Sequence, residues 1–139
     1  MKWESIQFPS LSEVLAVHEA VLEDSGGTSG TLKPDGLESA VMAPQATFGG
    51  EPLLKTMADL AAAYAFYLAT SHVFADGNKR TAYVVAETFL RVNDHPISND
   101  DDNDDAWVSV MEKVARGRIS REQLAEVFAA AMGAWGSVE

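Results

Sequence analysis

A chain of 139 residues, 47% of them hydrophobic, fits a single domain over 1–139 that can bury its own core without disulfides or a structural metal. It contains no cysteine, which excludes a disulfide framework, a Cys-ligated zinc site and a thiol nucleophile. Ten Lys plus Arg against twenty-one Asp plus Glu give a net charge of −11, which opposes non-specific binding to nucleic acid or to an anionic membrane, and serves solubility equally well.

The start, Met1-Lys2-Trp3-Glu4-Ser5, has no apolar stretch of signal-peptide length. No later window approaches the ~20 apolar residues of a membrane span, so a cytoplasmic location is expected. Ser10 and Glu13 stand at capping-box spacing before a helix that carries Leu11, Val14, Leu15, Val21 and Leu22 on one face and stops ahead of Gly26-Gly27. Gly27-Thr28-Ser29-Gly30-Thr31 reads as a loop, and Pro34 opens a short helix that Pro44 closes. Gln45 to Glu51 is a glycine-bearing loop of the kind that often faces a substrate.

From Pro52 to about residue 70, Leu53, Met57, Leu60, Ala61, Tyr64 and Leu68 recur at helical spacing without internal Gly or Pro. The stretch from Asn78 to Asn93 is apolar on nearly every side through Ala82, Val84, Val85, Ala86, Phe89 and Leu90, which predicts a helix in the middle of the domain. Asn93-Asp94 stops it and His95-Pro96 turns the chain. The acidic run from Asn99 to Asp105 reads as a solvated loop whose last members cap a helix with Trp107, Val108, Met111 and Val114. Gly117 ends that helix, and Ser120 with Gln123 starts a last one carrying Leu124, Val127 and Phe128 before Gly133. Strands are confined to short pieces near Pro96-Ile97-Ser98 or within the 45–51 loop, so the fold class is all-α. His18 and His95 are expected to make ordinary hydrogen bonds, and Trp3, Trp107 and Trp135 to pack rather than to stack on bases.

The informative feature is the polar segment His72-Val73-Phe74-Ala75-Asp76-Gly77-Asn78-Lys79-Arg80-Thr81, wedged between two apolar helices. Polar groups so placed are costly unless they pair or bind something. An imidazole can take a proton from a hydroxyl near neutrality, and Asp76 supplies the hard oxygen that a magnesium ion between two phosphates requires. Gly77 admits close approach of backbone to phosphate, Asn78 can cap the following helix, and Lys79 and Arg80 can neutralise phosphate charge. Phe74 most simply anchors the loop in the core. A lone loop histidine or aspartate is usually just a hydrogen-bonded residue, but a basic pair at a helix start opposes the helix dipole unless an anion sits there. Two bases without interleaved aromatics do not make a nucleic-acid surface on so acidic a chain.

His72-x-Phe74-x-Asp76-Gly77-Asn78-Lys79-Arg80-Thr81 closely resembles the motif of the Fic/Doc superfamily, and its lysine resembles that of the Doc-like (death-on-curing) toxins. The likeness in length and pattern extends over about residues 10 to 132. It implies a Fic fold, a compact bundle of about six helices. A short β-hairpin flap formed by Thr47, Phe48, Gly49, Gly50 and Glu51 would dock the target. By the same resemblance His72 is the general base and Asp76 the magnesium ligand, with Lys79 and Arg80 also catalytic. Gly77, Asn78, Lys79, Arg80 and Thr81 bind the nucleotide, and Phe74 is the structural anchor.

The implied activity is that of a toxin from a toxin–antitoxin system, a magnesium-dependent protein kinase. It would move the ATP γ-phosphate to a Ser/Thr hydroxyl of a translation factor, elongation factor Tu by resemblance, and so block protein synthesis. Because Gly77 is Fic-like while Lys79 is Doc-like, transfer of AMP or another nucleotide to a protein hydroxyl stays open. So does a non-catalytic helical module that only holds a partner. No inhibitory-helix motif is found in the chain, so an antitoxin protein, Phd-like or other, is the expected restraint.

Overall fold

The computed structural model of the chain describes residues 2–97 and 104–136, without the side chains of 104 and 134–136. Helix α1 spans Leu11–Ser25 and begins with the expected capping box: the Glu13 N–H donates to Ser10 Oγ at 3.1 Å and the Ser10 N–H to Glu13 Oε1 at 2.9 Å. Its inward stripe is Val14, His18 and Val21, spaced four and three residues apart. Leu11 and Leu15, expected on the apolar face, are each 38% exposed. Helix α2, Pro34–Met42, opens on proline at its first turn and passes into a short 3-10 turn, Ala43–Gln45.

A two-stranded hairpin comes next, β1 (Thr47–Phe48) against antiparallel β2 (Glu51–Pro52), with Thr47 opposite Pro52 and Phe48 opposite Glu51. Gly49 and Gly50, at φ 60° and 82°, form the two-residue connection, which needs both residues left-handed and therefore favours glycine. Helix α3 runs over Met57–Thr70 rather than from residue 52. Pro52 belongs to the hairpin, Thr56 caps the helix by accepting the Asp59 N–H at 3.0 Å, and Leu53, expected in the core, is 60% exposed.

The helix buried on nearly every side is α3, not the one after the motif. Met57, Leu60 to Ala65, Leu68 and Ala69 are all buried, and α2, α4, α5 and α6 pack around it. Its small alanines allow that close approach. Helix α4, Asn78–Val92, buries instead the stripe Thr81, Ala82, Val85, Ala86, Phe89 and Leu90 between α1, α3 and α5. At its end Asp94 is left-handed and the His95 N–H returns to Leu90 O at 2.8 Å.

Helix α5, Asp104–Ala115, seats Trp107, Met111 and Val114, while Val108 is 58% exposed. Helix α6, Arg121–Gly136, starts with a Ser120–Gln123 capping box and continues past Gly133, whose dihedrals kink it instead of ending it. No strand forms at 96–97, and Ser98, most of the acidic run and the Trp135 side chain lie outside the described residues. Among the described residues the arrangement is thus all-α, with six α-helices and one small hairpin, as the sequence led us to expect. Among the described residues no helix is long and apolar enough to cross a membrane.

Candidate active site

The middle of the motif loop is held by the burial of Phe74 and by hydrogen bonds to its backbone. Phe74 is 2% exposed, and its ring stacks on His18 of α1 at 3.7 Å between centroids and 8° between planes. Burying such a side chain contributes about 1.5–3 kcal/mol, which seats the middle of the loop. On either side the backbone pairs with residues 30–33: the Leu32 N–H donates to Val73 O at 2.7 Å and the Ala75 N–H to Gly30 O at 3.0 Å, around a bridge between Thr31 and Phe74. Asn78 does not cap α4. Gly77, at φ 80°, takes the capping position, and the Asn78 side chain reaches back to Phe74, accepting its N–H at 3.0 Å and donating to its carbonyl at 2.9 Å.

His72 and Asp76 stand exposed at either side of this anchored centre. The His72 backbone has φ 49°, a left-handed conformation that residues with a β-carbon seldom adopt. Asp76 is held twice. Its carboxylate Oδ2 accepts the Thr28 N–H at 2.7 Å, and its carbonyl pairs with His18 Nε2 at 2.8 Å. A carbonyl can only accept, so Nε2 carries the hydrogen. Gly27, at φ 120°, lies so close that a Cβ there would come within 3.1 Å of the Asp76 Cβ.

At the first turn of α4 no side chain caps the backbone N–H groups, so they keep their partial positive charge. Lys79 and Arg80 project from this turn, both exposed. Arg80 Nη2 pairs with Asp24 Oδ2 of α1 at 2.5 Å, whereas Lys79 has no partner among the described residues. Thr81 is fully buried and its hydroxyl lacks a hydrogen-bond partner among those residues, so it lies in the core behind the others. Uncapped amides, two cations, a carboxylate and an imidazole within ten residues make a setting suited to an anion such as phosphate.

Of the flap residues, Phe48 at 81% exposure is the most solvent-facing large apolar side chain among the described residues, and Thr47, Gly49, Gly50 and Glu51 are exposed as well. Sequence reasoning missed His18, Asp24 and Thr28. The signal for His18 was its place in the Val14–Val21 stripe, where a polar ring must find a buried partner. Nothing local marks Thr28 or Asp24, whose partners lie 48 and 56 residues away.

Residues 8–90 match the model of the Fic/DOC family. Over 70 residues the chain is 44% identical to the protein named Toxin Doc of Mycolicibacterium smegmatis, a match covering 50% of this chain and 54% of that one. Over 84 residues it is 34% identical to Protein kinase doc of Escherichia phage P1, covering 60% and 66% respectively. The matches thus span less than two thirds of either relative. On the family match and the site that lies within it, the chain belongs to the Fic/DOC family.

Proposed function

We propose that the chain is a Doc-like toxin that phosphorylates a Ser/Thr hydroxyl of a translation factor, with ATP as co-substrate and magnesium as cofactor. The observation that carries this reading is the uncapped start of α4, where Lys79 and Arg80 stand exposed in the first turn against the sense of the helix dipole. The relative named a protein kinase supports the direction of transfer.

The residues present fit a magnesium ion. Asp76 uses only Oδ2 for the Thr28 N–H, leaving Oδ1 unpaired among the described residues. Magnesium can be held by a single carboxylate, with water and phosphate oxygens completing its shell. When bound, it would supply positive charge between the phosphates.

His72 takes the proton of the acceptor hydroxyl as that oxygen bonds to the γ-phosphorus. The bond from that phosphorus to the β–γ bridging oxygen breaks, and ADP leaves with the electron pair. Lys79, Arg80 and the first N–H groups of α4 hold the phosphate oxygens, Gly77 and Asn78 shape the cradle, and Thr47 to Glu51 receive the target segment. The proposed setting is the cytoplasm, under restraint by an antitoxin protein.

Elongation factor Tu incubated with the protein, ATP and magnesium, then weighed intact, tests this. A gain of one phosphate that vanishes with His72→Ala is expected. A gain of a whole nucleotide would establish nucleotidyl transfer instead, the outcome that Gly77 leaves open. Growth inhibition that persists in folded His72→Ala would point to a partner-holding module and refute the enzymatic reading.

A further inference from the structure

We propose that His18 is a positioning residue of the candidate site, one that works with the Thr28 N–H to clamp Asp76 from two sides. The proposal rests on the kinase reading and adds the element that keeps its carboxylate in place.

The Asp76 side chain is exposed, and an exposed aspartate is free to change rotamer. Here the Thr28 N–H fixes one carboxylate oxygen at 2.7 Å, while the His18 Nε2–H fixes the backbone carbonyl of the same residue at 2.8 Å. The second bond also orients the peptide unit between Asp76 and Gly77. In a trans peptide the N–H lies opposite the C=O, so tying the Asp76 carbonyl to His18 turns the Gly77 N–H away from α1. One imidazole therefore sets both a carboxylate root and an amide direction at the start of α4.

His18 is well placed for this. It is 6% exposed, its ring is pressed flat against Phe74 at 3.7 Å, and it sits on the rigid inward stripe of α1. Its Nε2 hydrogen bond is spent on Asp76. A residue needed for packing alone would be replaceable by an apolar ring, whereas a clamp needs the donor.

His18→Phe keeps a ring against Phe74 and deletes the donor, while His18→Gln keeps an N–H donor near the Nε2 position and deletes the ring. The two variants and the wild type are titrated with magnesium–ATP by calorimetry, alongside thermal melts and amide hydrogen exchange at Thr28. Folded His18→Phe is expected to bind about 10-fold more weakly or worse, as removal of a ligand's supporting partner generally does. Its Thr28 amide, which donates to the Asp76 carboxylate, should exchange faster, and His18→Gln should bind within about 3-fold of wild type. Wild-type affinity and unchanged exchange in folded His18→Phe, or equal losses in both variants, overturn the proposal. If the wild type itself takes up no magnesium–ATP, the functional reading fails, and hydrogen exchange alone then decides whether the clamp exists. If His18→Phe does not fold, Thr28→Pro deletes the other donor from an exposed loop. It should weaken binding similarly, and wild-type affinity there also overturns the clamp.

Discussion

At His72 the chain adopts φ 49°, a left-handed backbone that costs a residue with a β-carbon about 1–2 kcal/mol. The side chain is exposed, so local packing does not compensate, and the loop around Phe74 must hold it there. His72→Gly should therefore be more stable than His72→Ala by about 1 kcal/mol in urea unfolding, although neither variant can take a proton. Equal stabilities would mean that the loop relaxes once the imidazole is gone. The same scale shows why Asn78 misleads. Asn before a helix normally reads as a cap, but here Gly77 adopts the non-helical dihedrals, and the Asn78 amide is released to bind Phe74. Phe74 itself was legible, because a large aromatic between polar neighbours has only the core to go to.

The ends of elements are governed by short-range chemistry, and there the sequence was most readable: Ser10–Glu13, Pro34 and Ser120–Gln123 open helices as their spacing predicts. Glu13 adds a pH dependence. Hydrogen bonds from the Ser10 backbone and side chain hold its carboxyl below its ordinary 4.5. A depressed acid stabilises the fold above its unfolded pKa and loses that contribution as pH falls through the folded one. Wild type should thus lose more of its melting temperature on acidification below about pH 4.5 than Glu13→Gln, whose amide can still close the capping box without titrating. Parallel losses would show that the capping carboxylate is not a source of acid sensitivity. The misplaced start of α3 has a different cause. Leu53 falls in phase with Met57 and Leu60, but periodicity cannot register that Pro52 pairs across a hairpin and that Thr56 offers a better cap. Apolar content likewise identified α4 as central, whereas the close approach that alanine permits gives that place to α3.

Over the whole molecule, the core closes around Tyr64. Burial pushes its phenol well above the ordinary 10.0, and the Gln45 side chain, outside good hydrogen-bond geometry, lowers it by less. An acid whose folded pKa is raised stabilises the fold below its unfolded pKa and loses that contribution as pH climbs past it. Unfolding should therefore set in above about pH 10 and be delayed in Tyr64→Phe, as followed by circular dichroism. Identical alkaline transitions in the two proteins would place the sensitive group elsewhere. The bonds that shape the candidate site span the chain: His18 meets Asp76 across 58 residues, Asp24 meets Arg80 across 56 and Thr28 meets Asp76 across 48. A synthetic decapeptide copying 72–81 would hold every reactive group yet none of their arrangement. Because loop closure must precede such distant pairings, the nascent polypeptide gains the shape of its candidate site late, only after α1 and the glycine-rich stretch behind it have docked.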